Sequence, residues 1–265
     1  MRPAPGRLDA LLWDVDGTLA ETERDGHRVA FNMAFEDLGL AWRWEPARYG
    51  ELLHVTGGRE RLLYDMVSRT DSPALAGERE ALAQALHIRK NQRYAELVRS
   101  ARLPLRDGVL SLMHECHERG VRMAIATTTS RSNLAVLLQV HLGAGWSRWF
   151  DAVVCGEDVL RKKPDPEVYL RALQVLGVAP LRALAIEDSP SGVSAARAAH
   201  VPVVVTRSAY FSEATIEGAV AIGPGLHDKR GWRPALAAGA DAAAPVGLDD
   251  LEHWRAQIDS VSQFG

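Results

Sequence analysis

The sequence predicts an α/β protein: a Rossmann-like core with a parallel sheet, and a second, all-helical unit inserted after the first strand. Between residues 103 and 206, short apolar runs alternate with amphipathic stretches, a pattern typical of βαβ units. Between residues 21 and 100 no run is typical of a strand, and apolar residues recur at helical spacing. We therefore expect an α/β core from residues 1–20 and 103–265, and a small helical cap from residues 21–102.

The predicted core strands are short apolar runs bounded by glycine, proline or charged residues. They cover residues 8–13, 121–127, 152–155, 183–186, 201–206 and 219–222. Helical spacing predicts core helices over residues 110–119, 133–141, 166–176, 191–199 and 249–261. In the cap it predicts helices near residues 29–38, 48–53, 59–68 and 77–100. The polar motifs of the core all follow predicted strands, where a parallel sheet carries its ligands.

The composition excludes several classes of protein. The chain has 265 residues and a formal net charge of -3, so it lacks the basic field of a nucleic-acid-binding protein. Its two cysteines, Cys116 and Cys155, are too few for a disulfide framework and lie in apolar stretches, which predicts buried thiols. No run is typical of a signal core or a membrane span. We expect a monomeric, cytoplasmic protein that binds neither nucleic acid nor membranes.

Two aspartates, Asp14 and Asp16, stand at the end of the first predicted strand and are followed by Gly17 and Thr18. Carboxylates two residues apart at a strand end can lean into one pocket when a glycine allows a sharp turn. One carboxylate can then attack a substrate while the other moves protons, provided that a divalent cation offsets their repulsion. A solvated turn after a strand is the alternative interpretation.

With its apolar lead-in and Leu19, this stretch resembles the D-x-D-G-T-[LV] signature of the haloacid dehalogenase-like phosphatases and phosphomutases. The resemblance implies that Asp14 attacks phosphorus and forms an aspartyl-phosphate. It also implies that Asp16 protonates the leaving group and then activates water. Three further motifs of the family follow in the family's order, and together they span the core from residue 10 to about residue 206.

The second and third motifs supply groups for phosphate. Thr127 matches the hydroxyl residue of the family, and the backbone N–H groups of Thr128 and Thr129 extend the cradle. Taken alone, this cluster is more typical of a helix N-cap. Lys163 matches the lysine of the K-P-x-P element, where its ammonium offsets the charge of two aspartates and a phosphate. The adjacent Lys162 is expected to be solvated.

The fourth motif is acidic: Glu187 and Asp188 end a predicted strand and resemble the E-D-S-x-x-G element of the family. The resemblance implies that Asp188 ligates a metal ion together with Asp14 and the backbone carbonyl of Asp16. Glu187 is either a further ligand or holds a metal-bound water. Few carboxylates beside a substrate phosphate are typical of Mg²⁺, and no grouping of histidine and cysteine indicates zinc.

Three features of the cap side bear on the substrate. Gly57, Gly58 and Arg59 form a glycine loop at a helix start, which suits a second, non-reacting phosphate. Arg59 also matches the cap arginine of the β-phosphoglucomutase-like subfamily. Glu21 is interpreted with equal weight as an acceptor for sugar hydroxyls or as an acid favoured at a helix N-terminus. Arg131 is either a substrate contact from the core side or, more commonly at such positions, a surface arginine.

The cap loop and the chain length resemble phosphatases of this subfamily that are encoded with Calvin-cycle genes. This implies hydrolysis of xylulose 1,5-bisphosphate to xylulose 5-phosphate, which removes an inhibitor of Rubisco. A phosphomutase of the subfamily has a histidine twelve residues after the nucleophile; here that position is Gly26, and His27 is offset by one, which favours a phosphatase. A broad sugar monophosphatase, a phosphomutase and a non-catalytic phosphosugar sensor are the alternatives.

Overall fold

A computed structural model describes residues 7–100, 103–236 and 242–261. Within these residues it contains a six-stranded parallel sheet and nine α-helices, which confirms the predicted α/β class with a helical cap. The predicted domain limits at residues 1, 102 and 265 lie outside the described part of the chain, as do residues 237–241 of the segment after the last strand. The division into two domains stays a prediction.

The sheet has the strand order β3-β2-β1-β4-β5-β6, so the first strand lies near its centre. Its strands are β1 (Ala10–Trp13), β2 (Arg122–Ala126), β3 (Ala152–Val154), β4 (Ala183–Glu187), β5 (Val203–Thr206) and β6 (Ala221–Gly223). Trp13 at the end of β1 pairs with Ile125 in β2 and with Ile186 in β4. Because all strands are parallel and in register here, the residues that follow β1, β2 and β4 meet at one edge of the sheet.

The helices are α1 (Arg28–Asp37), α2 (Pro46–Leu52), α3 (Gly58–Ser68), α4 (Ala76–Arg99), α5 (Val109–Arg119), α6 (Arg131–Leu142), α7 (Glu167–Leu176), α8 (Pro190–Ala198) and α9 (Leu248–Val261). Apolar residues of α5, α6 and α9 cover one face of the sheet, and those of α7 and α8 cover the other. Successive residues of β1 alternate between these two clusters, as a strand buried on both faces requires.

Helices α1–α4 form the cap and enclose an apolar cluster of their own, which includes Phe31, Phe35, Trp44 and Tyr49. These four aromatic side chains are almost fully buried, and each ring removes a large apolar area from water. The cap also contacts the core directly. The Tyr210 ring, from the loop after β5, lies 5.7 Å from the Tyr49 ring, so the cap is held against the sheet edge that carries the polar motifs.

The predicted strands and helices are all present, with ends that differ by a few residues. Three short elements of the described residues were not predicted: a π-helical turn over Glu23–His27 that leads into α1, and 3₁₀ turns over Trp146–Trp149 and Pro180–Arg182. Cys116 and Cys155 are buried free thiols, as predicted. Among the described helices, none has both the length and the apolar character that crossing a bilayer requires.

Candidate active site

A cleft of about 320 Å³ lies between the carboxyl edge of the sheet and the cap. Both parts of the protein contribute polar side chains to its wall. Those from the core include Asp14, Asp16, Thr128, Thr129, Ser130, Asn133, Lys162, Lys163 and Asp188, and those from the cap include Glu23, His27, Arg59, Glu60, Gln84, His87 and Lys90. The four core motifs therefore converge on one cleft, at the place where a doubly wound sheet binds ligands.

Asp14 lies at the floor of the cleft in contact with a buried lysine. Lys163 Nζ donates to Asp14 Oδ1 at 2.6 Å and to Glu187 Oε1 at 2.7 Å. The Tyr169 hydroxyl donates to the same oxygen of Glu187. Lys163 and Glu187 are both almost completely buried, so this ion-pair network is shielded from solvent screening. It fixes the direction of the Asp14 carboxylate and leaves Oδ2 as the oxygen without a bond to Lys163.

Electrostatics at the floor are set by three converging carboxylates. Burial and the charge of Glu187 raise the pKa of Asp14 to about 7, against the opposing effect of Lys163. Burial, with the charges of Asp14 and Glu187, also raises the pKa of Asp188 well above its ordinary value. Although burial lowers the pKa of Lys163, the two carboxylates that it contacts outweigh burial and raise that pKa, so the lysine stays charged.

Oxygen atoms of Asp14, Glu187 and Asp188 all lie within 4.8 Å of one another. The chain backbone makes room for this approach at Gly17, which has φ +87°. A Cβ atom at that position would lie 2.0 Å from Asp188 Oδ2. Buried oxygen donors with uncompensated negative charge fit a hard divalent cation such as Mg²⁺. Glu187 is already bonded to Lys163 and Tyr169, so Asp14 and Asp188 are the side chains with free oxygens for the ion.

Asp16 is held by two residues of the segment that enters the cap. Thr22 Oγ1 donates to Asp16 Oδ1 at 2.6 Å, and His27 Nε2 lies 2.9 Å from the same oxygen. Burial raises the pKa of Asp16, but the charge and hydrogen bond of His27, with the hydrogen bond of Thr22, outweigh it and hold that pKa well below its usual range. Asp16 is therefore an ionised carboxylate in this arrangement, ready to accept a proton.

The π-helical turn explains how His27 reaches Asp16. The Arg28 N–H donates to the Glu23 carbonyl, five residues back, instead of four as in an α-helix. One extra residue is thereby accommodated in the turn. The offset of His27 from the family position, which the sequence analysis treated as a departure, does not separate it from Asp16.

The loop after β2 forms the side wall of the cleft. Thr128, Thr129 and Ser130 line the cleft, whereas the buried Thr127 hydroxyl accepts a hydrogen bond from the Thr129 N–H at 3.2 Å. Thr127 thus shapes the loop whose other members face the cavity, and its own contact with phosphate stays a prediction. The structure does not bring Arg131 to the wall, because its guanidinium pairs with Asp158 and donates to the Val153 carbonyl at 3.3 Å.

The opposite end of the cleft is formed by the start of α3. Gly57, with φ +101°, and Gly58 line the cavity together with Arg59. The Arg59 guanidinium pairs with Glu80, while its buried Nε–H has no hydrogen-bond partner among the described residues. An arginine with an unsatisfied donor beside a helix N-terminus is suited to an anion. A second phosphate at this end of the cleft stays a prediction.

Two acids near the cap entrance line different cavities. Of the two interpretations of Glu21, the structure does not support the sugar contact, because Glu21 lies outside the cleft and accepts from the Ala209 N–H at 3.2 Å. It lines a separate cavity beside Arg106, near the two chain segments that join cap and core. Glu23 faces the active cleft instead, and it is fixed by the Tyr49 hydroxyl and by Arg61 at 3.5 Å. Arg61 is buried by these contacts.

The sequence analysis missed the contribution of α4. Gln84, His87 and Lys90 are spaced by three residues and line the cleft from one face of this helix. Burial, with the charges of Lys90 and Lys162, lowers the pKa of His87 to about 4. Burial likewise lowers the pKa of Lys90 to about 8, against the charges of Glu23 and Asp16. The sequence held no local signal for this contribution, because α4 carries polar side chains on several of its faces.

Comparison with known proteins agrees with this arrangement. Residues 8–200 match the haloacid dehalogenase-like hydrolase family. The plasmid CbbY protein of Cupriavidus necator is 43% identical over 233 residues, which cover 88% of this chain and 91% of that protein. The CbbY protein of Rhodobacter capsulatus is 43% identical over 203 residues, which cover 77% of this chain and 87% of that protein.

The chain is also similar to solved structures of CbbY. The crystal structure of CbbY from Rhodobacter sphaeroides in complex with phosphate has a TM-score of 0.74 and 38% sequence identity, covering 80% of this chain and 92% of that chain. A variant of that protein in complex with xylulose 1,5-bisphosphate has a TM-score of 0.75, with the same identity and coverage. The chain belongs to the haloacid dehalogenase-like hydrolase family and, within it, to the relatives of CbbY.

Proposed function

We propose that the protein is a Mg²⁺-dependent phosphatase that hydrolyses a sugar bisphosphate through an aspartyl-phosphate, with xylulose 1,5-bisphosphate as the substrate. The product is then xylulose 5-phosphate, and the reaction removes a Rubisco inhibitor. Three observations support the proposal: the chain belongs to a hydrolase family, and the cleft brings the family's polar motifs together. In addition, the chain is 38% identical to a CbbY protein whose variant was crystallised with xylulose 1,5-bisphosphate.

One observation carries the choice of a bisphosphate: the core and the cap each place a cationic site in the cleft. Lys163 lies against Asp14 at the floor, and Arg59 lies at the glycine loop of the cap. A monophosphate needs only the first site. Two separated sites for phosphate select a substrate with a phosphate at each end, because an unfilled anion site leaves its donors unsatisfied.

The reaction begins when an oxygen of Asp14 attacks phosphorus. A bond forms between that oxygen and phosphorus, and the bond from phosphorus to the sugar oxygen breaks. The sugar oxygen takes a proton from Asp16, which must be protonated for this step; His27 is the proton donor within hydrogen-bond distance of it. Lys163 stabilises the negative charge on the transferring group, aided by the backbone N–H group of Thr128.

Hydrolysis of the aspartyl-phosphate uses the same two aspartates, and Asp16 now accepts a proton instead of donating one. Asp16, once ionised, accepts a proton from a water molecule, and the resulting hydroxide attacks phosphorus. The bond between phosphorus and Asp14 then breaks, which releases inorganic phosphate and restores the carboxylate. Asp14, Asp188 and the backbone carbonyl of Asp16 are the groups that would hold Mg²⁺, whose charge lowers the repulsion between the carboxylates and the phosphate. The cap excludes bulk water from the site.

The test is a phosphate-release assay with Mg²⁺ on a substrate panel: xylulose 1,5-bisphosphate, ribulose 1,5-bisphosphate, glucose 1,6-bisphosphate and the matching monophosphates. We expect kcat/KM to be highest for xylulose 1,5-bisphosphate and to fall to background when EDTA replaces Mg²⁺. A monophosphate with an equal kcat/KM would contradict the choice of a bisphosphate. Activity that survives EDTA would contradict the metal.

A phosphomutase of the β-phosphoglucomutase type is the second candidate, and one observation favours it. The sequence argument against it was the offset of His27, yet His27 contacts Asp16. The same panel separates the two reactions, because a mutase converts glucose 1-phosphate to glucose 6-phosphate in the presence of glucose 1,6-bisphosphate without releasing phosphate. We expect free phosphate and no isomerised sugar.

A further inference from the structure

An ion pair crosses the mouth of the cleft from cap to core. Lys162 Nζ, from the loop between β3 and α7, lies 2.6 Å from Glu60 Oε1 in the first turn of α3. Lys162 was expected to be solvated, but its side chain is 26% exposed and lines the cleft. The residue is therefore part of the site, although no motif of the family assigns it a role.

Gly57 leaves room for this pair. A Cβ atom on Gly57 would lie 2.2 Å from Glu60 Oε2 and 2.5 Å from Lys162 Nζ. The ammonium group of Lys162 thus lies directly against the glycine loop that precedes Arg59. The predicted second phosphate site therefore has two cations, one from each part of the protein.

Each of these two cations is paired with a carboxylate of the cap. Arg59 pairs with Glu80, and Lys162 pairs with Glu60. The carboxylate partners are about half exposed, so these ion pairs contribute little to the free energy of unfolding. A stronger anion can consequently displace the carboxylates from these two cations at little cost in free energy. A phosphate dianion is such an anion, because it carries more charge and more acceptor oxygens than a carboxylate.

We propose that Lys162 is the core-side ligand of the non-transferred phosphate. Before substrate binds, the Glu60 carboxylate pairs with the Lys162 ammonium in place of that phosphate. The inference rests on the proposed bisphosphate substrate and adds a specificity-determining residue to it. The distal phosphate then contacts the cap through Arg59 and the core through Lys162, so it holds the two together. Lys162 is also the neighbour of Lys163, so the same loop contacts both phosphates of the substrate.

The experiment compares kcat/KM for xylulose 1,5-bisphosphate with kcat/KM for p-nitrophenyl phosphate, which has one phosphate. The variants are Lys162→Met, Lys162→Arg and Glu60→Gln. Arg161→Met is the matched control, because Arg161 is a cation of the same loop that pairs with Asp165 away from the cleft. The ratio of the two constants reports on the second phosphate and cancels effects on the chemical step.

We expect Lys162→Met to lower this ratio on the order of 10- to 100-fold, mainly through KM of the bisphosphate. Lys162→Arg should restore most of the ratio, and Arg161→Met should leave it unchanged. Glu60→Gln should hold or raise the ratio, because it removes the carboxylate that competes with phosphate. If the pair is only a structural link between cap and core, Glu60→Gln and Lys162→Met will impair both substrates alike, and the inference is wrong.

The results distinguish a failure of the role of Lys162 from a failure of the proposed bisphosphate substrate. A wild-type enzyme that prefers the bisphosphate, with a Lys162→Met variant of unchanged ratio, overturns the role of Lys162 alone. A wild-type enzyme with no preference for the bisphosphate overturns the proposed substrate and, with it, this role.

Discussion

His27 Nε2 lies 2.9 Å from Asp16 Oδ1, although His27 stands one residue further along the chain than the family pattern requires. The π-helical turn over Glu23–His27 takes up the extra residue. The imidazole comes from the cap segment and the carboxylate from the core, so this contact ties the acid–base group to the position of the cap. A movement of the cap that displaces His27 would therefore also change the hydrogen bond on which proton transfer by Asp16 depends.

Replacing His27 with Gln is expected to lower kcat by about 10²-fold or more, because Asp16 loses its proton donor and its orientation. Glutamine is of similar length and can still donate one hydrogen bond, so the fold should be retained. The measurement is kcat for phosphate release across a pH series, with circular dichroism as the check on folding. His114→Gln, on a core helix and in contact with the Trp149 ring, is the control. An unchanged kcat would show that the contact is not used in turnover.

Deletion of Arg24 should be tolerated. Arg24 is about half exposed and its side chain pairs only with the neighbouring Asp25 among the described residues, so its loss removes no ion pair to the core. One residue fewer allows the turn to close as an ordinary α-helix while His27 stays beside Asp16. We expect the free energy of unfolding to be unchanged or higher, and kcat to stay within a few-fold. A large loss of activity would mean that the π-helical turn itself is required.

Much of the fold was predictable because it follows from local patterns. Apolar runs predicted each strand, and the helical spacing of apolar residues predicted each α-helix. Asp14 and Asp188 at the floor of the active site were equally predictable, because they directly follow β1 and β4 of one parallel sheet, whereas Lys163 was assigned through its family motif. Residues that follow parallel strands must meet, whatever the rest of the chain does.

The cap side of the site could not be predicted in the same way. Which face of α4 meets the cleft depends on how the cap packs on the core, and no local pattern encodes that. His87 and Lys90 were missed for this reason. Glu23 was missed because the sequence does not show how the chain enters the cap through the π-helical turn, and the turn places Glu23 rather than Glu21 in the cleft. Lys162 was taken as solvated because its partner, Glu60, is distant in the chain.

Asp14→Asn should abolish turnover, with a loss of at least roughly a thousandfold in kcat, and leave the fold intact. An amide cannot form the covalent intermediate, yet its oxygen can still accept from Lys163. Removal of one of three converging negative charges should also keep the free energy of unfolding at or above the wild-type value. Acid quenching with radiolabelled substrate should trap phosphate on the wild-type protein and not on the variant. Retained turnover would contradict the covalent mechanism.

Arg59→Ala should lower the preference for a bisphosphate over a monophosphate by on the order of 10- to 100-fold in kcat/KM. The side chain has a buried Nε–H without a partner among the described residues, and its partner Glu80 is half exposed. Arg43→Ala is the matched control, because Arg43 is an exposed cap arginine paired with Glu45. Equal losses for both kinds of substrate would show that Arg59 supports the cap and does not bind the second phosphate.

Lys90→Met should make the protein more stable at pH 7. Burial lowers the pKa of Lys90 from 10.5 to about 8 in the folded protein, so folding is opposed by the charge at neutral pH. The shift corresponds to roughly 3 kcal/mol, an upper limit for the gain in the free energy of unfolding. Between pH 8 and pH 10.5 the unfolded chain holds this proton and the folded one does not, so wild-type stability rises with pH relative to the variant.

Urea unfolding of both proteins from pH 7 to pH 10 measures this difference, which should shrink steadily above pH 8. The variant should also lose activity, since Lys90 lies 5.2 Å from the Phe31 ring on the wall of the cleft and its charge helps to attract an anionic substrate. A variant that is less stable than wild type at pH 7, by an amount independent of pH, would show that the lysine is not strained by burial. A more stable and less active variant would show that the cleft retains this buried charge for function.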